Sequence, residues 1–236
     1  MSSAYALEDP TKGKPFFPWL WEDQFQPTLE HATEFGNLGI LAAGAVGSIA
    51  AFQYENDVYL HNRRGQNLIM SKEDAGSLGT LGGGGLGIGI AVAQLFLDQE
   101  NGLQHARAIA LTSTSHVLLA WAFSKKRPGG REDFLPFPSS FPSGHASSAF
   151  ATATSLAYSY GYWAGIPAFT LATAIAAARV SENAHWLSDV VAGAALGIYW
   201  GRASAQTKMN QAGETRAAWM AFPFRDGFVA SYTTEF

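Results

Sequence analysis

Two segments of the sequence hold residue types suited to phosphate chemistry. The first is the run Pro142–Ser143–Gly144–His145, and the second begins at Arg179 and continues through His185 to Asp189. One histidine can attack phosphorus and a second can protonate the leaving oxygen. Arginine and backbone amides can hold the phosphate oxygens. These residues predict a site that handles a phosphate group without a metal ion, and no cluster of Asp and Glu with metal-ligand spacing is evident in the sequence.

The run Pro142–His145 has the pattern of a helix start. Gly144 allows the backbone to approach a ligand closely, and the free N–H groups of a first helical turn form an anion site. Ser143 can serve as the N-cap or as a phosphate donor, and the two roles are compatible. His145 then lies in the first turn, beside any bound anion. Taken alone, the run fits equally well a capped helix start with an incidental histidine.

His185 and Asp189 are four residues apart, a spacing that places both on one face of a helix. An aspartate bonded to one ring nitrogen fixes the tautomer and makes the other nitrogen a better nucleophile. Without the other motifs, the same spacing fits an exposed helix pair.

A third group of residues, Ser124–Lys125–Lys126–Arg127–Pro128, ends a helical stretch. Pro128 stops the helix, and cations are favoured at helix C-termini. Taken alone, this cluster fits capping and solvation.

In this order the motifs resemble those of the type 2 phosphatidic acid phosphatase superfamily, which includes bacterial non-specific acid phosphatases and vanadium haloperoxidases. The family pattern reads K-x6-R-P, then P-S-G-H, then S-R-x5-H-x3-D. This sequence has Arg127–Pro128, Pro142–His145 and the spacing from Arg179 to Asp189. The resemblance covers roughly residues 105–205.

The sequence departs from the family pattern at two positions. Ala120 stands where the family has its lysine, and Ala178 stands in place of the usual serine. Losing one charge-assisted phosphate contact costs about 1.5–3 kcal/mol, which weakens binding without abolishing turnover. Lys125 and Lys126 point elsewhere if the helix continues through them, and substitute for the lysine only if the helix end is irregular. Arg131, in the following loop, is another candidate.

The resemblance implies a role for each residue of the site. His185 is the nucleophile that forms a phosphohistidine, Asp189 orients it, and His145 protonates the leaving oxygen and then activates water. The residues implied in phosphate binding are Arg127, Arg179, Ser143, Gly144 and Lys126. No metal or other cofactor is implied, and vanadate is expected to inhibit.

The resemblance also implies the substrate class, which is phosphate monoesters or pyrophosphates of lipids or isoprenoids in the cell envelope, with a periplasmic or membrane-associated location. Three alternatives remain open: a phosphatase of soluble esters, a haloperoxidase with vanadate as its cofactor, and an inactive relative that binds phospholipid. The short chain and Ala120 argue against the haloperoxidase, because a permanently bound vanadate needs every cation.

The elements that must position these residues are helices. The predicted fold is all-α, a six-helix bundle in a single domain over residues 1–236. Residues 1–28 are expected to form an irregular aromatic arm, and the tail 210–236 a short β-hairpin or extended segment around Asp226–Gly227. The six helical stretches are expected at residues 29–53, 71–98, 102–124, 144–161, 166–180 and 186–206.

Composition leaves the relation to the membrane open. The chain is 47% hydrophobic and 14% charged, where about 25% charged is usual for soluble proteins. Ser77–Leu97 is charge-free and long enough to span a bilayer. The fifth and sixth helical stretches look too short, which favours a soluble or peripherally bound bundle, with an integral membrane protein as the alternative. No apolar signal-peptide region is expected within residues 1–36.

Other patterns exclude further classes. The net charge of −4 argues against a nucleic-acid partner. The absence of cysteine excludes disulfides and thiolate metal sites. Gly82–Gly87 fits G-x-G-x-x-G, but no strand is predicted before it, so close helix contact is favoured over dinucleotide binding.

Overall fold

The architecture is a bundle of helices, followed by two short strands. The computed structural model describes residues 11–65, 70–130, 139–211, 218–224 and 227–233. Arg131 lies outside these residues. The helices are α1 (Phe16–Trp19), a π-helical turn (Leu20–Phe25), α2 (Gln26–Ala32), α3 (Phe35–Arg63), α4 (Lys72–Leu81), α5 (Gly85–Leu97), α6 (Gln99–Phe123), a 3-10 turn (Pro128–Gly130), α7 (Gly144–Tyr160), α8 (Tyr162–Ser181) and α9 (Leu187–Gln211).

The predicted all-α architecture is confirmed, but the six predicted stretches do not map one to one onto helices. The second stretch is divided at Gly82–Gly84, where Gly84 takes a left-handed conformation (φ 86°) and begins α5. Glycine adopts this conformation at little cost, so the chain can turn between two helices here. Because helix α4 precedes the glycines, this segment lacks the strand that a dinucleotide fingerprint needs.

The N-terminal segment is helical from Phe16 onward, so the prediction of an irregular arm is wrong over these residues. Its inner face is anchored by polar contacts: Thr28 and Thr207 share a hydrogen bond of 2.7 Å, and Gln24 accepts one from Arg107. Trp19 is buried, whereas neighbouring aromatic residues stay exposed. Aromatic content alone did not reveal this buried polar face.

The strands β1 (Ala218–Phe224) and β2 (Gly227–Thr233) form an antiparallel pair in which Ala221 lies opposite Ala230. The residues between them are outside the described part of the chain. The strand pair follows the helices and contributes no residue to the site below.

Helix α9 lies at the centre of the bundle and packs against α3, α6 and α7. Its face toward α7 carries Gly193, Gly197 and Gly201, one per helical turn. A Cβ at Gly193 would lie 2.5 Å from the Ser143 carbonyl oxygen, and one at Gly197 would lie 2.3 Å from that of Ser147. Small residues let the two backbones approach this closely. This contact brings the start of α7 against the start of α9.

Within the described residues, three segments are long and apolar enough to cross a membrane: Phe35–Arg63, Glu73–Leu97 and Tyr162–Ser181. The third segment is longer than the predicted stretch 166–180. The sequence analysis judged it too short to span a membrane because it placed the start of the helix too late. Large apolar side chains are exposed on the outer faces of these helices, among them Ile49 at 67% and Trp163 at 94%. Contiguous apolar surface of this kind marks contact with a partner or a membrane. The predicted membrane or envelope location is therefore supported.

Candidate active site

The site forms where the end of α6, the start of α7, the end of α8 and the start of α9 meet. The rings of His145 and His185 face each other with centroids 6.4 Å apart and planes at 55°. Arg127 lies beside them, with Nη1 3.1 Å from His185 Nε2. Three of the residues predicted from separate motifs are thus brought together.

The hydrogen bonds of His185 define its tautomer. Nδ1 lies 2.8 Å from the carbonyl oxygen of Ser140, which can only accept, so Nδ1 carries the proton. Nε2 faces the guanidinium of Arg127, which can only donate. The lone pair of Nε2 is therefore directed toward Arg127, at the site where a phosphate would bind. Burial lowers the pKa of His185, and Arg127 acts in the same direction while Asp189 opposes it, so the ring stays neutral.

Asp189 is placed differently from the expectation. Its Oδ2 is 3.8 Å from His185 Nδ1, too long for a hydrogen bond, because His185 precedes α9 and does not share a helical turn with Asp189. The carboxylate instead accepts from the Ser140 hydroxyl and from the Trp186 amide at 2.8 Å. The second contact is the backward half of a capping box at the start of α9. Asp189 thus reaches His185 through Ser140.

Several neighbouring groups stabilise the ionised form of the Asp189 carboxylate. Burial opposes ionisation, since the side chain is 0% exposed. The neighbouring imidazole of His185, the Ser140 hydroxyl and the ammonium of Lys125 outweigh that effect and hold the pKa of Asp189 below its usual value.

Ser143 and Gly144 begin α7 as predicted. The Ser143 hydroxyl accepts from the Ala146 amide at 3.4 Å, and the Ser143 amide donates to the Asp189 carbonyl at 2.9 Å. A Cβ at Gly144 would lie 3.0 Å from Nε2 of His116, so a larger residue would displace that ring. His116, one turn before Ala120 on α6, was not predicted.

His145 lies in the first turn of α7, beside the glycine turn between α4 and α5. A Cβ on Gly82 would lie 3.4 Å from the Cβ of His145, and one on Gly83 would lie 3.8 Å from its Nε2. Burial lowers the pKa of His145 to about 4, and the charge of Arg179 adds to that effect.

Arg179 is in the last turn of α8, where its Nη1 contacts Glu182 Oε2. A Cβ on Gly79 would lie 2.5 Å from the same Nη1. The glycines of α4 and the following turn, which the sequence assigned to close packing, therefore pack directly against Arg179 and His145.

Of the two lysines, Lys125 is partly buried and Lys126 is exposed. Helix α6 ends at Phe123, and Ser124 turns left-handed (φ 42°), so the chain leaves the helix before Lys125. The Lys125 ammonium then reaches Asp189 Oδ1 at 3.0 Å. The Lys126 side chain is exposed, and its carbonyl accepts from the Trp186 indole at 2.7 Å. Ala120, at the family's lysine position, is buried.

An apolar cavity of about 280 Å³ lies between the α4–α5 turn and helices α7 and α8. Gly82 and Ile175 line it, and Gly82 also borders His145. Ser148 and Thr152 are polar residues of its wall. The cavity therefore adjoins the glycine turn that packs beside His145.

Sequence reasoning missed Ser140, Glu55 and His116, and it considered Lys125 only as a substitute for the family lysine. Glu55 carried a usable signal, because ionisable residues within a long, mainly apolar helix mark functional positions. Ser140 acts through its backbone carbonyl, which no side-chain pattern reveals.

Comparisons with known proteins support the same assignment. Residues 101–212 match the family model described as PAP2 superfamily. The chain is similar to a lipid A 1-phosphatase of Porphyromonas gingivalis, with 38% identity over 84 residues, covering 34% of this chain and 18% of that protein. It thus spans less than a fifth of the length of that relative.

Two crystal structures are similar. One is LpxE of Aquifex aeolicus, with a TM-score of 0.52 and 25% identity, covering 57% of this chain and 85% of that one. The other is a transmembrane PAP2-type phosphatidylglycerolphosphate phosphatase of Bacillus subtilis, with a TM-score of 0.59 and 18% identity. The match covers 78% of this chain and 99% of that one. At this identity, the similarity concerns the fold alone. The region that matches the PAP2 superfamily model therefore contains the start of α7, the end of α8 and the start of α9, which hold the site.

Proposed function

We propose that this protein is a phosphoric ester hydrolase that removes phosphate from lipid phosphates of the cell envelope through a phosphohistidine. The observation that carries the proposal is the fixed tautomer of His185. Its Nδ1 proton is held by the Ser140 carbonyl, and its Nε2 lone pair faces a guanidinium, with His145 opposite. A neutral, oriented imidazole beside an anion-binding group is suited to attack on phosphorus.

In the first step, the Nε2 lone pair of His185 forms a bond to phosphorus, and the bond from phosphorus to the ester oxygen breaks. His145 takes up a proton when the phosphate dianion binds, and the leaving oxygen takes the electron pair and this proton from the His145 imidazolium. In the second step, His145 accepts a proton from water, whose oxygen attacks phosphorus. The N–P bond then breaks, which releases inorganic phosphate and restores neutral His185.

Arg127, Arg179 and the amides at the start of α7 hold the equatorial oxygens as charge spreads over them. Glu182 contacts Arg179 in the substrate-free protein, so an incoming phosphate must share or replace this contact. Ser143 caps α7 and keeps those amides oriented.

A lipid substrate is supported by the surroundings of His145. The leaving group departs on the side of this ring, and the apolar cavity begins there. Its volume and apolar walls suit part of a hydrocarbon chain. The named activities of the Porphyromonas and Bacillus relatives, on lipid A and phosphatidylglycerolphosphate, belong to the same substrate class.

We further propose that the helices are embedded in the bilayer, with the site near one surface. The three apolar segments and their exposed outer faces support this arrangement. Partition of the expressed protein after carbonate washing of membranes tests it: retention in the membrane is expected, and release into the supernatant would refute it.

The activity is tested by phosphate release from purified protein. The panel contains lipid A, phosphatidylglycerolphosphate, phosphatidate, undecaprenyl pyrophosphate and a soluble aryl phosphate. Release from at least one lipid, faster than from the aryl ester, is expected. Release from the aryl ester alone would favour a phosphatase of soluble esters, and no release from any ester would favour an inactive lipid-binding relative.

A further inference from the structure

The group formed by Lys125, Glu55, Ser188 and Asp189 lies behind the site and has no role in the mechanism above. The Lys125 ammonium donates to Glu55 Oε2 at 3.0 Å, Ser188 Oγ at 2.7 Å and Asp189 Oδ1 at 3.0 Å. An ammonium has three N–H donors, so these acceptors use all of them. Lys125 therefore has no donor left for a phosphate oxygen.

The other side of Lys125 is closed by aromatic rings. Its Nζ lies 5.3 Å from the ring centre of Phe52 and 5.7 Å from that of Trp186. Both distances fit cation–π contact. Ser188 also donates to Glu55, which keeps the carboxylate of Glu55 in place. The ammonium is thus held by three acceptors and two aromatic rings.

A continuous set of hydrogen bonds runs from Lys125 to the nucleophile. Lys125 holds Oδ1 of Asp189, and Oδ2 of Asp189 accepts from the Ser140 hydroxyl. The Ser140 carbonyl in turn accepts the Nδ1 proton of His185 at 2.8 Å. Rotation of the Asp189 carboxylate would release Ser140, and with it the group that selects the tautomer of His185.

We propose that Lys125, supported by Glu55, is a positioning residue of the reaction, which fixes the Asp189 carboxylate and, through Ser140, the reactive tautomer of His185. This inference rests on the proposed function and assigns Lys125 a different role from the family lysine missing at Ala120. Lys125 acts from behind the nucleophile and does not contact the phosphate.

The test compares Lys125→Met with Lys125→Arg, Glu55→Gln and the matched control Lys208→Met. Lys208 also holds a half-buried ammonium, donating to Asn101 at 2.7 Å near the far end of α9. Lys125→Met is expected to lower kcat about 10- to 100-fold, the effect of a misplaced reacting group. KM and the inhibition constant of inorganic phosphate should change less than about twofold, because ground-state binding is retained.

Lys125→Arg should recover most of the lost kcat, since it restores the cation between the two rings. Glu55→Gln should give a smaller loss, and Lys208→Met none. Weakening of phosphate inhibition by the same factor as kcat would show direct contact with phosphate and overturn the proposal. Unchanged kcat in Lys125→Met would also overturn it.

The double variant Lys125→Met/Glu55→Gln covers the case in which the single variant folds poorly, because it removes the unbalanced Glu55 charge. Its kcat is expected to remain as low as in Lys125→Met, and a return to the parent value would refute the positioning role.

A second measurement does not depend on turnover. Nitrogen-15 spectra of histidine-labelled protein should show the Nδ1–H form of His185 in the parent and a mixture of tautomers in Lys125→Met. An unchanged tautomer would overturn the proposal. If the parent releases no phosphate from any ester, the proposed function fails, while this spectrum still decides the role of Lys125.

Discussion

The two ends of the bundle both bury polar side chains, but they use them differently. At the end near Phe123, the buried groups surround two facing histidines and a cavity. About 24 Å away along α6, Arg107 donates to Gln24 and to the Ser204 carbonyl, and Thr28 pairs with Thr207. These groups bond to one another and surround no cavity that the described residues show. We call them the distal network, formed by Gln24, Thr28, Arg107, Ser204 and Thr207.

The histidines illustrate the difference. Both ring nitrogens of His105 have ordinary neutral partners, Gln94 at 2.7 Å and Thr152 at 3.1 Å. His185 instead has one nitrogen fixed by a carbonyl and the other facing a cation. Burial of a polar group is therefore a poor sign of function. A fixed proton on one nitrogen and a lone pair held toward a cationic site on the other are better signs.

The largest expected effect comes from replacing the nucleophile. His185→Ala should lower kcat by at least about 10⁴-fold, because covalent chemistry at phosphorus is lost. Acid-quenched labelling with a phosphorus-32 substrate should trap phosphohistidine in the parent and not in the variant.

The comparison variant is His105→Gln, which should lower the thermal midpoint and leave kcat of the folded protein unchanged. Equal losses of kcat in the two variants would remove the distinction between the two histidine environments.

His145→Ala should have the next largest effect. It should lower kcat about 10²- to 10⁴-fold, and the size of this loss should depend on the leaving group. A lipid alcohol is a poor leaving group and needs the proton, whereas a nitrophenolate does not. The ratio of rates on an alkyl and a nitrophenyl phosphate measures this dependence. Equal losses on both substrates would contradict the role of His145 as the acid.

Arg127 in the active site and Arg107 in the distal network provide a matched pair of substitutions. Arg127→Met should lower kcat/KM about 10- to 100-fold, since a charge-assisted contact is lost in the transition state. Arg107→Met should instead reduce the free energy of unfolding by about 1–3 kcal/mol, because Gln24 and the Ser204 carbonyl lose their donor, and should leave kcat/KM unchanged. Thermal unfolding and initial rates of both variants measure this difference. If Arg107→Met is less active than Arg127→Met, the proposed division between a catalytic and a structural arginine is wrong.

The smallest expected effect is a pH dependence of anion binding. Burial lowers the pKa of His145 to about 4, and a bound dianion should raise this pKa, because an opposite charge favours the protonated imidazole. Binding then takes up a proton, so inhibition by sulfate should weaken roughly tenfold per pH unit between the free and bound pKa values. Sulfate keeps its charge over this range, so the slope reports on the protein.

The matched variant for this measurement is His145→Asn. Its sulfate inhibition should lose that slope, and a slope that persists would assign the proton to a group other than His145.

The sequence was most informative where side-chain type and spacing carry the signal. The helical architecture, the start of α7 at Ser143 and the meeting of Arg127, His145 and His185 were all predictable from motifs and caps. The predicted direct bond from Asp189 to His185 is wrong, because helical spacing was applied to His185, which precedes the helix.

Other features could not be predicted, for physical reasons. Lys125 turns inward because Ser124 takes a left-handed conformation, which its residue type does not require. The polar contacts of the N-terminal helices join residues far apart in sequence, such as Thr28 and Thr207. The spanning capacity of the long apolar helices was underestimated because alanine, threonine and glycine dilute their hydropathy while larger residues occupy the outer face.

The position of Glu55 bears on how this protein can be divided and recombined. Glu55 belongs to α3, well before the region 101–212 that the superfamily shares. A protein reduced to that region would keep His145, His185, Arg127 and Arg179. Its Lys125 ammonium would lose the contact with the Glu55 carboxylate. The region that matches the family model therefore does not include every residue to which the proposed positioning of His185 assigns a role. Chimeras that exchange the shared region between relatives should have a higher kcat when the incoming lysine and the α3 acid come from the same parent than when they do not.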